Sequence, residues 1–173
     1  MKYLIIDDQV ETLKPLIRVL REVGHQVTTS HNLSMGWEWL KRERREGNPF
    51  DLVILDLALD RKVREFTEEQ DDVRDALDSR GVADLPMSGQ VMGLWLWRRR
   101  KEVRQRYCYM TYHPCVWMAQ LDEEAPEFEQ GLSELDAEWL PKLILEKSDL
   151  WLDNVAEKFE TAWKIWEDRE WLD

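Results

Sequence analysis

The sequence predicts an α/β fold, in which a doubly wound, five-stranded parallel sheet has helices on both faces. Two observations lead to this prediction. Short apolar runs that suit strands buried on both faces alternate with longer segments whose apolar residues recur at helical spacing. Strands that alternate with helices form parallel sheets, because a parallel crossover needs a connection long enough for a helix.

The composition is that of a folded, acidic chain. It has 173 residues, of which 43% are hydrophobic, and a net charge of −12. We expect one domain over residues 1–173, because this length suits a single core. The negative charge argues against nucleic-acid binding. We also expect a cytoplasmic protein without a membrane partner, since no apolar run reaches the length of a membrane span and no signal peptide is evident.

The start of the chain predicts a strand followed by a helix. The stretch "KYLIID" (2–7) is a continuous apolar run with a polar stop, which suits a buried strand. Apolar residues then recur at helical spacing from Val10 onward. Proline is tolerated only in the first turn of a helix, so Pro15 predicts that regular helix begins near Thr12. Gly24 is expected to end it.

A second strand, a second helix and a third strand follow. The strands are predicted at "HQVTTS" (25–30) and "FDLVILDL" (50–57). The helix is predicted over 32–47, with Ser34 as a candidate N-cap and Gly47 as the terminator.

The alternation breaks after the third strand. Residues 60–88 are mostly charged, and we interpret them as an insertion that holds a short amphipathic helix from about Phe66 to Leu77. A helix over 89–106 and a fourth strand, "YCYMT" (107–111), restore the pattern.

The last third of the chain predicts one more strand and one long helix. Residues 114–140 show no clear periodicity and form a remodelled segment. The fifth strand is expected at "KLILEK" (142–147), and the helix is expected to follow it directly, capped by Ser148 or Asp149.

Ten tryptophans are an unusual number for this length. In the last helix, we expect Trp151, Phe159 and Trp166 to pack on the sheet. Three further tryptophans are predicted to be surplus to that core and to form a homodimer or partner contact. They are Trp139, Trp163 and Trp171.

Polar residues stand where the predicted strands end. Asp7 and Asp8 end the first strand, Asp56 the third, Thr111 the fourth and Lys147 the fifth. In an open parallel sheet, ligands bind beyond the carboxyl ends of the strands, so these side chains should face one crevice. Clustered carboxylates need a cation, and oxygen ligands suit Mg²⁺. A carboxylate nucleophile beside a metal, a lysine and a hydroxyl suits phosphoryl transfer to an aspartate.

These residues lie within a longer set of motifs, and together the motifs resemble the receiver domains of two-component response regulators. The resemblance implies the flavodoxin-like receiver fold, and it covers nearly all of residues 1–58 and the main elements that follow. The motifs are "LIIDDQ" (4–9), "GHQVTTSHNLSMGWEWL" (24–40), "FDLVILDLAL" (50–59), "GLWLWRRRKEV" (93–103), "YMT" (109–111) and "LEK" (145–147).

The resemblance implies a role for each site residue. Asp56 matches the phospho-acceptor, Thr111 the switch hydroxyl, and Lys147 the lysine that pairs first with the acceptor and then with the phosphoryl oxygens. Asp8 and Asp56 match the side-chain ligands of Mg²⁺. The backbone carbonyl of Ala58 matches a third ligand, and Asp7 matches the acid that holds a metal-bound water.

The resemblance also implies a function. It is that of a stand-alone receiver, which accepts a phosphoryl group on Asp56 from a sensor histidine kinase, a phosphotransfer protein or a small phosphodonor. Such a protein acts on a downstream protein target and is no enzyme beyond its own Mg²⁺-dependent phosphorylation and dephosphorylation. Two alternatives remain. One is a phosphorylation-independent adaptor or oligomerisation module, and the other is a metal-dependent phosphohydrolase, which usually has an acid where Ala58 stands.

Several positions depart from the family pattern. Ile144 replaces the switch aromatic, and Ser148 replaces a proline. Tyr112 stands where a small residue is usual, and we expect it to narrow access to the phosphoryl group. His113 falls at a position that tunes phosphoryl lifetime. The insertion at 60–88 follows the acceptor, so we expect it to lie near the site, where it would shield the acceptor or form a partner surface.

Overall fold

Five parallel strands form one sheet, as predicted. The structure of the chain, a computed structural model, describes residues 1–57, 59, 64–79, 88–112 and 143–173. The strands are β1 (Lys2–Ile6), β2 (Gln26–Ser30), β3 (Leu52–Asp56), β4 (Tyr107–Thr111) and β5 (Ile144–Glu146). Their order is β2-β1-β3-β4-β5, and each neighbouring pair is parallel.

Helices cover both faces of this sheet. They are α1 (Lys14–Glu22), α2 (Leu33–Arg45), α3 (Thr67–Ser79), α4 (Ser88–Arg98), α5 (Arg100–Val103) and α6 (Val155–Asp168). Helix α1 contacts α6, whereas α2 and α3 both contact α4. The predicted doubly wound α/β class is therefore confirmed. Within the described residues, no helix has the length and apolar character needed to cross a bilayer.

The strands in the middle of the sheet are apolar because helices cover them on both sides. Every residue of β3 and β4 is buried, and so is every residue of β1 after Lys2. The polar exceptions in these strands are Asp56 and Thr111, which stand at the last positions of β3 and β4. The apolar core thus ends in polar side chains at one edge of the sheet.

Helix α1 begins and ends close to the predicted positions. A 3₁₀ turn over Val10–Leu13 precedes it, and Pro15 lies in its first turn. Gly24 has a φ of 92°, a left-handed conformation that glycine adopts at low cost and that ends the helix. Val23 lies just beyond the last helical residue and is exposed.

The N-cap of α2 is Asn32, and the prediction of Ser34 was wrong. Asn32 has an extended backbone, and its side-chain oxygen accepts a hydrogen bond of 2.9 Å from the backbone N–H of Met35. This bond satisfies one of the donors that the first turn leaves without an intrahelical partner. Ser34 lies one residue inside the helix and is exposed. Gly47 has a positive φ just after the helix, as expected of its terminator.

Replacing Asn32 with alanine should lower the free energy of unfolding by about 1 kcal/mol, because the cap is lost. Ser34→Ala is the matched control and should change it by less than about 0.5 kcal/mol. Urea unfolding followed by circular dichroism measures both values. Equal losses in the two variants would contradict the capping role of Asn32.

The charged middle segment contains the predicted helix, which is α3. Phe66 and Val73 are buried in the core, as an amphipathic helix requires. Glu69 is also buried and pairs with Arg99 of the following segment at 2.9 Å. This partly buried ion pair, at the C-terminal end of α4, and the apolar contacts hold α3 against α4.

The helix predicted over 89–106 is divided in two. Helix α4 ends at Arg98, and the short α5 follows after one residue. Arg104 then adopts a left-handed conformation, with a φ of 50°, and stops the helix before β4 begins.

The last helix begins later than predicted. The first residue of α6 is Val155, so neither Ser148 nor Asp149 caps it. Asn154 instead holds a turn ahead of the helix, accepting a hydrogen bond from the Trp151 backbone N–H at 2.8 Å and donating one to the carbonyl of Asp149 at 2.9 Å. This turn leaves the Trp151 side chain 63% exposed, so the prediction that it packs on the sheet was wrong.

The other aromatic residues of this region divide between core and surface. Phe159 and Trp166 are buried as predicted, and the Trp166 indole donates to the carbonyl of Tyr107 at 2.7 Å. Trp171 is not surplus to the core, because its ring packs edge-on against Trp166 at 5.1 Å. Trp163 is partly buried. Trp139 and the 114–140 segment lie outside the described residues, and the homodimer contact stays a prediction.

Candidate functional site

Four predicted site residues lie buried at the carboxyl edge of the sheet. Asp7 follows β1, Asp56 ends β3, Thr111 ends β4 and Lys147 follows β5. Because β1, β3, β4 and β5 are neighbours in that order, their ends converge. The exposed fractions are 0% for Asp7, 4% for Asp56, 1% for Thr111 and 8% for Lys147.

Lys147 joins the two buried carboxylates. Its Nζ donates a hydrogen bond of 2.7 Å to Oδ2 of Asp56 and lies 2.9 Å from Oδ2 of Asp7, an ion-pair distance. Burial by itself lowers the pKa of Lys147, but the hydrogen bond to Asp56, the close contact with Asp7 and the negative charges of both acids outweigh it, so the pKa lies above its ordinary value. The ammonium therefore stays charged inside the site.

The backbone around Asp7 sets the direction of its carboxylate. The Asp7 N–H donates to the carbonyl of Ser30 at 3.0 Å, which extends the pairing of β1 with β2 by one residue. Oδ1 of Asp7 then accepts a hydrogen bond of 2.7 Å from the backbone N–H of Gln9. The second oxygen, Oδ2, is buried, and Lys147 is its ion-pair partner.

The carboxylates of Asp7, Asp8 and Asp56 form a cluster that fits a divalent cation. Each offers an oxygen within 4.8 Å of the others. Asp8 is partly exposed, so the cluster opens toward solvent on its side. Within the part of the chain that the structure describes, Lys147 brings one positive charge to three carboxylates, and an all-oxygen set suits a hard ion such as Mg²⁺. The proposed backbone ligand, Ala58, lies outside the described residues.

Tyr112 lies against Lys147, a contact that sequence reasoning missed. The Nζ of Lys147 is 5.1 Å from the centre of the Tyr112 ring, and the side chain of Tyr112 is half exposed. The pairing register explains the contact. Thr111 pairs with Glu146 across β4 and β5, so the residues that follow them leave the sheet side by side.

Gly89 is a second feature that sequence reasoning missed. It lies in the first turn of α4, and a Cβ atom at this position would lie 1.8 Å from the backbone oxygen of Asp56. The helix therefore starts directly against the backbone of the candidate acceptor. Glycine in the first turn of an otherwise apolar helix was the available signal, but only the structure shows what it contacts.

Comparisons with known proteins support the fold. No protein-family model matches the sequence, and no curated protein is significantly similar to it. NtrX from Brucella abortus is 14% identical, with a TM-score of 0.50 over 98% of this chain and 28% of that chain. A CheY-like response regulator receiver domain protein from Methanospirillum hungatei JF-1 is 14% identical, with a TM-score of 0.49 over 97% of both chains.

A response regulator receiver domain protein from Clostridium thermocellum is 16% identical, with a TM-score of 0.48 over 97% of this chain and 98% of that chain. At such identities a likeness concerns the fold alone. The strand order β2-β1-β3-β4-β5, with helices on both faces, is that of the flavodoxin-like receiver fold. The chain therefore has the doubly wound flavodoxin-like fold, which CheY also has.

Proposed function

We propose that the chain is a response regulator receiver that accepts a phosphoryl group on Asp56 and signals through protein–protein contacts. The observation that carries this proposal is the buried contact of Lys147 with both Asp56 and Asp7, beside the carboxylate of Asp8. A buried ion pair that served stability alone would need one carboxylate. Among the described residues, these carboxylates share the ammonium of Lys147, and buried negative charge is costly, so the cluster suits a bound cation, while Lys147 suits a phosphoryl group.

The chemistry assigns one role to each group. A carboxylate oxygen of Asp56 attacks phosphorus, and the bond from phosphorus to the donor breaks. The leaving group keeps the electron pair, and when the donor is a phosphohistidine its imidazole then takes up a proton. Lys147 already lies 2.7 Å from Asp56, so its charge is in place to balance the added phosphoryl oxygens. The hydroxyl of Thr111, at the adjoining strand end, is the candidate donor to one of those oxygens.

Asp8 and Asp56 are the side chains that would hold Mg²⁺ directly, and Asp7 would hold it through water. When bound, Mg²⁺ offsets negative charge on the phosphoryl oxygens as they approach the carboxylates. The protein's own contribution is to keep the two buried acids fixed, Asp7 by the N–H of Gln9 and Asp56 by Lys147.

The partners follow from this chemistry. A sensor histidine kinase or a phosphotransfer protein would supply the phosphoryl group, and a downstream protein would recognise the phosphorylated form. The site is thus proposed to serve signalling, with no catalysis beyond its own phosphorylation and dephosphorylation. The alternative is a phosphorylation-independent, receiver-like adaptor. It is favoured by Ile144, a buried aliphatic residue of β5 at the position where the resemblance expects an aromatic that rotates.

Incubation with Mg²⁺ and a small phosphodonor tests the proposal. The wild-type protein should gain one acid-labile phosphate by intact-mass spectrometry, whereas Asp56→Asn should gain none, because its amide is a poor nucleophile. Asp153→Asn is the matched control, since Asp153 is exposed and outside the acidic cluster, and it should behave as wild type. Absence of phosphate and of beryllofluoride binding in the wild type would instead support the adaptor.

A further inference from the structure

Lys147 is surrounded by two kinds of partner. An ammonium group has three N–H donors. Asp56 and Asp7 lie 2.7 and 2.9 Å from Nζ on the inner side of the site. The ring of Tyr112 lies 5.1 Å from the same Nζ, with the ammonium over its face. The buried carboxylates of Asp56 and Asp7 therefore contact the ammonium on one side, and the ring of the half-exposed Tyr112 contacts it on another.

We propose that Tyr112 is a positioning residue, whose ring holds the Lys147 ammonium in place against Asp56 and Asp7. The face of an aromatic ring attracts a cation, most strongly where water is excluded. Lys147 has a long, flexible side chain that loses rotamer freedom when it is held in one place. A ring across the outer side of the ammonium offsets this cost and limits the approach of water.

A positioning role for Tyr112 differs from the narrowing of access to the phosphoryl group that the sequence predicts. A residue that only blocks access would slow the entry of a ligand, and its removal would strengthen or accelerate binding. A residue that positions Lys147 helps the site to hold an anion, and its removal would weaken binding. The phenol hydroxyl is not needed for the second role, so phenylalanine should replace Tyr112 without loss.

The first measurement is made on the free protein and does not depend on phosphorylation. The ε-methylene protons of Lys147 should show an upfield ring-current shift by NMR in the wild type and in Tyr112→Phe. They should move toward the ordinary lysine position in Tyr112→Leu. Trp151→Leu is the matched control, because it removes another exposed aromatic residue, one that lies between β5 and the last helix. Identical Lys147 shifts in the wild type and Tyr112→Leu would overturn the proposal.

The second measurement rests on the proposed function. With Mg²⁺ present, Tyr112→Leu should bind beryllofluoride about fivefold more weakly, the change that corresponds to a cation–π contact of ~1 kcal/mol. Tyr112→Phe should match the wild type. Tighter binding by Tyr112→Leu would overturn the positioning role. If no variant and no wild-type protein binds beryllofluoride while the ring-current shift is present, the proposed function fails and the positioning of Lys147 stands.

Discussion

Lys147→Met should lower the free energy of unfolding by about 3 kcal/mol in the absence of divalent ions. Methionine matches the length of the lysine stem but removes the charge that joins Asp56 and Asp7. The two carboxylates are 4% and 0% exposed, so the variant leaves both buried without their cation. Removal of one partner from a buried ion pair costs more than the pair contributes, because the remaining charge stays desolvated.

Mg²⁺ should restore part of the stability that Lys147→Met loses. A divalent ion that binds the folded carboxylates and not the unfolded chain stabilises the protein by an amount that grows with the logarithm of the ion concentration above its Kd. Urea unfolding with and without Mg²⁺ measures the loss and its recovery. Full recovery is not expected, because the ion would leave the place of the ammonium between Asp7 and Asp56 unfilled.

Lys164→Met is the matched control for this prediction. Lys164 pairs with Glu160 at 3.1 Å on the surface of α6, and both side chains are more than half exposed. Exposed pairs of this kind contribute about 0 to 1 kcal/mol, so the control should lose little stability and should respond to Mg²⁺ as the wild-type protein does. Equal losses in the two variants would contradict the buried, compensating role of Lys147.

Gly89→Ala is expected to be more damaging than an alanine at Gly36, the glycine in the first turn of α2. Alanine is favoured over glycine within a helix by about 1 kcal/mol, so a neutral site would gain stability. The new Cβ would meet the backbone oxygen of Asp56 at 1.8 Å, and backbone cannot move aside as a side chain does. We expect a loss of about 3 kcal/mol and weaker beryllofluoride binding, because α4 must shift away from the acceptor strand.

Gly36→Ala separates this backbone clash from an ordinary packing change. Gly36 is also buried in a helix, but a Cβ there would meet the side chain of Ile6, at 2.2 Å from its Cδ1. A side chain can change rotamer, so the loss of stability should be smaller, about 1 kcal/mol. Thermal unfolding of both variants shows which of them loses more stability. A larger loss in Gly36→Ala would contradict the tight contact of α4 with Asp56.

The elements of this protein were largely predictable because their signals are local. The strands are apolar over consecutive residues, and the helices repeat apolar residues at helical spacing. Most of the errors fell at element ends, where several capping groups compete. Asn32 and Ser34 are both good N-cap residues, and only the extended backbone of Asn32 decides between them. Likewise, the turn held by Asn154 delays the last helix and exposes Trp151.

The candidate site was predictable for a different reason. Parallel strands place all of their carboxyl ends at one edge, so the topology alone brings Asp7, Asp56, Thr111 and Lys147 close together. The positions of the strand ends and the rule that these ends converge are enough to predict that the four residues cluster. Distances and contacts within the cluster do not follow from that rule, because they depend on register and on how each helix packs.

The strands, most of the helices and the placement of polar residues at the strand ends therefore follow from the sequence alone. Tertiary structure decided which residues touch those ends. The ring of Tyr112 lies over Lys147 because β4 and β5 pair in one register, and Gly89 contacts Asp56 because α4 crosses the sheet there. Local propensity acts through neighbours in the chain, whereas these contacts join residues that are far apart in sequence, and only the packed fold brings them within reach.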